Sequence, residues 1–236
     1  MSKRAIILAG GKGTRLRPYT VVLPKPLMPI GEYPILEVII RQLARNGFEH
    51  ITLTVNHQVE IIRAFFGNGD KWNVKIDYSF EDRPLSTMGP LKLIHDLPDN
   101  FLIMNGDILT DLNYSELFES HTKEKRLFTI AAHSREQKVD YGVLDIDGSS
   151  CLSGFREKPV HHYLVSMGIY VANKKILESI PQDRAYGFDN LMLDLLHKQE
   201  KVNVIANTCY WLDIGRPDDY MIAIEQFEQF KEKFLK

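Results

Sequence analysis

The chain is poor in several things that would point elsewhere. Its 236 residues include two cysteines, Cys151 and Cys209, far apart and without metal-ligand spacing. That argues against a disulfide scaffold or a cysteine-based metal site and fits free thiols in a reducing cytoplasm. Net charge is small, −2. No overall field therefore draws in nucleic acid or an anionic membrane, and neither is an expected partner. No apolar run approaches bilayer-spanning length. The Lys3-Arg4 pair before residues 5–9 faintly imitates a secretory signal, but the run is too short and turns polar at once, so a cytoplasmic location is expected. Repeats, low-complexity tracts and long linkers are missing too. One α/β domain over residues 1–236 is the expectation.

What is present concentrates first in residues 5–29, AIILAGGKGTRLRPYTVVLPKPLMP. A short apolar run enters a glycine-rich turn at Gly10, Gly11 and Gly13, which reads as a buried strand and a loop. Closely approaching backbone N–H groups, with Lys12, Arg15, Arg17 and Lys25 nearby, make an anion site suited to phosphate. It is not a P-loop, because no Gly-Lys-Ser/Thr stands at the required spacing. It is not the dinucleotide fingerprint either, because Leu16 occupies the third glycine position. Pro18, Pro24, Pro26 and Pro29 forbid a long helix after the loop. The spacing predicts an irregular arm that carries Lys25 back toward the ligand.

Farther on, periodicity predicts helices over 34–45 and 58–66 and strands over 50–55 and 74–79, a β-α-β-α-β order that implies a mostly parallel sheet with helices on both faces. Ligands gather at the carboxyl ends of such strands. A very apolar strand over 101–104 ends at Asn105-Gly106-Asp107. A carboxylate there is placed to hold Mg²⁺, a hard cation that takes oxygen ligands. Later segments read as a helix over 112–121, a strand over 127–132, a small antiparallel insert over 140–159, a strand over 164–171, a helix over 189–198 and a closing helix from Pro217. His161 and His162, adjacent on a strand, point to opposite faces and cannot easily share one ion.

Taken together, L-A-G-G-K-G-T-R-L-R-P with P-K-P-L-M-P-I, the N-G-D at 105–107, the Y-G-V at 141–143, the F-R-E-K-P at 155–159 and the Y-W-L-D-I-G-R-P-D-D-Y at 210–220 resemble the sugar-1-phosphate nucleotidylyltransferases (nucleotide-sugar pyrophosphorylases), nearest the mannose-1-phosphate guanylyltransferase-like branch. The resemblance implies a Rossmann-like three-layer αβα sandwich, with an NTP-binding half over about 1–110 and a sugar-phosphate half over about 111–236. It implies catalysis by Arg15, Lys25 and Asp107, and Mg²⁺ on Asp107 and Asp213. Nucleotide binding falls to Leu8, Ala9, Gly10, Gly11, Gly13, Thr14, Glu81, Thr87 and Gly89. Sugar-phosphate binding falls to Gly142, Glu157, Lys158 and Ser166.

The reaction so implied joins an NTP to a sugar 1-phosphate and releases pyrophosphate. GTP with a mannose- or heptose-type sugar is the expected pair, for polysaccharide precursor synthesis, and a homodimer is possible. Uridylyl, thymidylyl and cytidylyl transfer are alternatives within the family. A catalytically inactive, nucleotide-sugar-sensing subunit is an alternative of another class. The chain departs from the family pattern at Ser86, Met88, Pro90 and Ser166, where base and sugar preference are set.

Overall fold

The computed structural model describes residues 3–56 and 58–235. The chain opens with β1 (Lys3–Leu8) and then takes three short 3₁₀ turns, at Thr14–Leu16, Tyr19–Val21 and Lys25–Leu27. These turns are the irregular arm that the prolines require, since each proline removes a donor and blocks helix growth. Two short strands, β2 (Pro29–Ile30) and β3 (Tyr33–Pro34), lead into α1 (Ile35–Arg45). Next come β4 (Phe48–Val55), α2 (Val59–Phe66) and β5 (Lys75–Phe80). After them stand β6 (Asn100–Asn105), β7 (Ile108–Thr110), α3 (Tyr114–Lys123) and β8 (Phe128–Lys138). The last part holds β9 (Val143–Ile146), β10 (Leu152–Arg156), β11 (Val160–Asn173), α4 (Phe188–His197), β12 (Val202–Asn207), β13 (Trp211–Asp213) and α5 (Pro217–Leu235).

Seven strands form the central sheet in the order β12-β8-β11-β6-β1-β4-β5. The pairs β1–β4, β1–β6, β4–β5 and β12–β8 are parallel, whereas β11 runs antiparallel to both its neighbours. Strand alternation divides the core between two faces. Ala5 and Ile7 pack with residues of α1, α3 and α5, such as Leu36, Leu117 and Phe227. Ile6 points the other way, to Phe101, Ile103 and the α4 residues Leu191 and Leu195. Helices therefore cover both faces, in the expected three-layer arrangement.

The structure extends two of the expected strands and adds one. β8 runs past residue 132 to Lys138 and β11 begins at Val160, before residue 164, because these ends pair with each other as a long ribbon from Ser134↔Leu164 to Lys138↔Val160. Periodicity is silent there because both faces of the ribbon are exposed. β12 adds an edge strand at 202–207, with Asn203, Asn207 and exposed Val204 in place of a clear apolar alternation. The helix expected over 112–121 starts at Tyr114, with Asn113 as its cap: its side chain accepts from Glu116 N at 3.0 Å.

Candidate active site

The carboxyl ends of β1, β4, β5 and β6 contribute Leu8, Thr54, Phe80 and Asn105 to the wall of one cleft of about 1120 Å³. Gly10, Gly11, Glu81, Thr87 and Asp107 line it as well. A β-carbon on Gly11 would meet nothing within 4 Å, so this stretch of loop backbone is open to whatever occupies the cleft. Gly10 is backed from behind. Its carbonyl accepts from Asn56 Nδ2, and a β-carbon there would lie 2.7 Å from Glu81 Oε1. Glu81 is buried, and its other oxygen accepts from Leu85 N at 3.2 Å. Burial pushes its carboxyl above the usual range, partly offset by that hydrogen bond.

Gly13 shapes the turn rather than the wall. Its φ is +59°, and its neighbours on that side are Thr20 and the Lys25 β-carbon. Thr20 Oγ1 donates to Gly13 O at 2.7 Å and fastens the loop to the arm. The arm so folded delivers the Lys25 ammonium onto Asp107 Oδ2. Asp107 sits in the turn between β6 and β7, and its Oδ1 is buried with no hydrogen-bond partner among the described residues. A buried carboxylate oxygen without a donor is one that a cation would satisfy.

Asp213 arrives by a different route. β13 pairs antiparallel with β7, placing Asp213 opposite Ile108, and Ile214 N donates to Asp107 O at 3.0 Å. Two carboxylates 106 positions apart in the chain thus become neighbours. Asp213 is pushed above the ordinary carboxyl range by burial first and by the Asp107 charge second, against the pull of Lys25 and Arg15. The same side of Gly215 faces Asp213 Oδ2 and Arg15 Nη1, at 3.5 and 3.6 Å from where a β-carbon would stand. Arg15, Lys25, Asp107 and Asp213 therefore form one charged floor beside the cleft, and of the four only Asp107 lines the cleft wall itself. Among the described residues no three or more His, Cys, Asp or Glu side chains cluster. A cation held here would take two protein carboxylates, with other ligands from substrate or water.

The remaining expected residues divide. Ala9 and Thr14 belong to the loop without lining the cleft, and Gly89 lies behind it, its N–H donating to Tyr186 O at 2.9 Å. Thr87 does line the cleft, and its Oγ1 also accepts from Phe188 N at 2.8 Å. It thus caps the start of α4, a helix a hundred residues away, and not a helix of its own. Gly142, Glu157, Lys158 and Ser166 stand apart from that wall. Gly142 and Glu157 do meet: a β-carbon on Gly142 would come 3.2 Å from Glu157 Oε2. Lys158 is exposed, and Ser166 Oγ donates to Tyr170 Oη at 3.1 Å. Sequence reasoning missed the cleft residues Thr54, Asn56, Gln58 and Phe80. The one available signal was that they follow or end expected strands on the ligand side.

A glycine loop at the carboxyl ends of a parallel sheet, opening on a cation–carboxylate floor, defines an α/β protein built around a phosphorylated ligand. The nucleotidyl transferase family model matches residues 4–229, and the chain belongs to that family. It is 34% identical over 226 residues to a mannose-1-phosphate guanyltransferase of Yarrowia lipolytica, covering 92% of this chain but only 62% of that protein's length. It is 33% identical over 229 residues to a D-glycero-alpha-D-manno-heptose 1-phosphate guanylyltransferase of Aneurinibacillus thermoaerophilus, covering 96% of this chain and 99% of that one. The crystal structure of HddC from Yersinia pseudotuberculosis complexed with GMP-PN superposes with a TM-score of 0.73 at 29% identity, over 95% of this chain and 99% of that one. The nucleotidyltransferase fold is thereby shown.

Proposed function

We propose that the protein transfers a nucleotidyl group from an NTP to a sugar 1-phosphate, most readily GTP to a mannose- or heptose-type sugar 1-phosphate. The observation that carries this reading is the convergence of Arg15, Lys25 and Asp213 on Asp107, which lines the wall of the glycine-loop cleft. Both substrates are polyanions, so joining them is a problem of positioning and of charge. The sugar-phosphate oxygen forms a bond to the α-phosphorus as the bond to the pyrophosphate oxygen breaks. No side-chain nucleophile is needed. In this scheme Lys25 leaves its contact with Asp107 to hold the α-phosphate, and Arg15 steadies the charge on the departing pyrophosphate. Lys158 receives the acceptor phosphate. Leu8, Gly10, Gly11, Glu81 and Thr87 hold the nucleotide, with Ala9, Gly13, Thr14 and Gly89 setting the shape of that wall. Gly142, Glu157 and Ser166 face the sugar.

The residues fit a divalent cation, with Mg²⁺ the natural choice for two carboxylates and phosphate oxygens. Asp107 offers a buried oxygen without a partner, and Asp213 is held there against its own charge preference. When bound, such an ion neutralises phosphate charge. The guanine preference is supported by the two guanylyltransferase relatives. An inactive sensing subunit is the weaker reading, since all four charged groups are in place.

The test is pyrophosphate release with Mg²⁺ from each NTP against a panel of sugar 1-phosphates. Release strongest with GTP and a mannose- or heptose-type acceptor is expected. Release confined to another base reassigns the specificity, and no release across the panel from folded protein leaves the sensing reading in its place.

A further inference from the structure

The cleft wall is uneven in charge. In the sheet order β6-β1-β4-β5, Asp107 follows β6 and residues 80–87 follow β5, so three strand spacings, about 14 Å, separate them. A nucleoside monophosphate can bridge that span. Lys12 and Arg17 line the cleft from the glycine loop and the arm. At the β5 end stand Phe80, 55% exposed, and Asp82, exposed and without a hydrogen bond or ion pair from its side chain among the described residues. Its charged neighbours are engaged elsewhere. Arg83 Nη2 donates to Asp183 O at 2.9 Å and lies 3.4 Å from Asp183 Oδ1. Glu81 gives one oxygen to Leu85 N and has the other behind Gly10. Asp82 is thus the free carboxylate of that end, and Phe80 is the one aromatic side chain in the wall among the described residues.

We propose that Asp82 reads the edge of a guanine ring and that Phe80 stacks on its face, an assignment that rests on the nucleotide reading given above and names its base-selecting residues. Guanine presents two adjacent donors, N1–H and the 2-amino group, and one carboxylate accepts both side by side. Each other base sets an acceptor against the same oxygens: N1 of adenine, N3 and O2 of cytosine, and the carbonyls flanking N3–H of uracil and thymine. The negative charge therefore repels these bases as well as choosing guanine. It also disfavours phosphate at the β5 end, which leaves the phosphates to the loop side with Lys12 and Arg17. Stacking on an aromatic ring is indifferent to which base is stacked. Phe80 thus supplies affinity, and Asp82 supplies the choice of base.

The experiment is calorimetric titration of the whole chain with GTP and with ITP, each with Mg²⁺ and without sugar phosphate, so that no transfer occurs. ITP differs from GTP only in lacking the 2-amino group. The parent should bind GTP about tenfold more tightly than ITP, the effect of one hydrogen bond to a charged group. Asp82→Ala should weaken GTP and bring the ratio of the two affinities to about one, since neither donor then has its acceptor. Phe80→Ala should weaken both nucleotides alike, by about tenfold, with the ratio kept. Both side chains are exposed, so circular dichroism and melting of the variants should match the parent. A parent that binds GTP and ITP equally, or binds neither, overturns the proposal. So does a ratio that survives Asp82→Ala, or parent affinity in Phe80→Ala. Guanine-selective binding without pyrophosphate release would reject the transfer reading and leave this assignment standing. Release from GTP with a ratio that ignores Asp82 does the reverse.

Discussion

The glycine-loop region and the hairpin region carry the two sets of expected binding residues, and they are built in opposite ways. The first is set into the sheet. Its loop follows a fully buried strand, Ala5, Ile6 and Ile7 being 0% exposed, and is braced by Asn56, Thr20 and Glu81. The second projects from the sheet on the β8–β11 ribbon and the β9–β10 hairpin, where Gly142, Glu157 and Lys158 stand in solvent. A charge held in a buried, braced site acts without reorganising, whereas one on an open ribbon must be ordered each time it works. In the first region the Lys25–Asp107 pair, with side chains 11 and 19% exposed, meets that condition, whereas the charged groups of the second do not.

The sharpest break in that contrast comes from the floor. Lys25→Ala and Asp107→Asn should each lower kcat by about 10²–10³-fold, the scale of losing one preorganised charge contact. Single-turnover pyrophosphate release checks this, with melting curves to show that the fold survives. Near-parent turnover in either variant would remove that residue from the reaction.

Stability should divide the regions next. In the glycine-loop half, burial also lowers the pKa of His50, but Asp77 Oδ2 at 2.6 Å offsets part of that shift. In the other half, His121 is 0% exposed; its Nδ1 meets Thr129 Oγ1 at 2.8 Å, and its Nε2 has no partner among the described residues. Burial, aided by Arg126, lowers its pKa from 6.5 to about 4. The unfolded chain then binds the proton more readily than the folded one. Stability is full above the unfolded value and falls as pH drops from there toward the folded one. The loss should reach about 2–3 kcal/mol. Urea unfolding from neutral pH to about pH 4 measures it, and His121→Gln should flatten the slope. An unchanged slope would place the acid sensitivity elsewhere.

On the acceptor side, Lys158→Ala should raise KM for the sugar 1-phosphate about tenfold while sparing that for the NTP, as expected for one charged contact made by an exposed side chain. Initial rates with each substrate varied in turn decide it, and an effect confined to the NTP contradicts the division between regions. The smallest effect concerns Asp213. Burial and Asp107 raise its pKa, so in the free protein its charged form is the disfavoured one. The penalty is absent at low pH and appears as pH rises through the folded value. Asp213→Asn should therefore raise Tm at neutral pH by no more than about 2 °C, because solvent screens much of the repulsion, while it weakens turnover. A lowered Tm would show that the carboxylate stabilises the fold.

Legibility followed the same line. The glycine loop, the proline-broken arm and the parallel order β1-α1-β4-α2-β5 could all be read locally, because each rests on a backbone restriction or a short apolar period. Ser86 shows the limit. It is one of the departures from the family pattern, and its φ is +65°, so the turn takes a left-handed conformation that the residue type does not announce. The ribbon is longer than its expected strands, because strands exposed on both sides show no alternation between core and solvent, whereas the hairpin falls within the antiparallel insert expected over 140–159. Gly89 looked like part of a ligand loop, but its surroundings come from the chain near Tyr186, which no local pattern connects to it.

The sequence by itself determined the local elements and the chemical kinds of group available: a phosphate-seeking loop, an arm that cannot be a helix, a strand ending in a carboxylate. Those follow from sterics and periodicity within a few residues. Only the tertiary structure decided which groups meet. Thr20 folds the arm so that Lys25 reaches Asp107, and the β7–β13 ladder brings Asp213 to Asp107 across more than a hundred residues. Neither meeting is encoded in spacing. The first depends on a turn-to-turn contact, and the second on the register of β13 against the buried strand β7, where a slip of one residue would turn Asp213 to the other face.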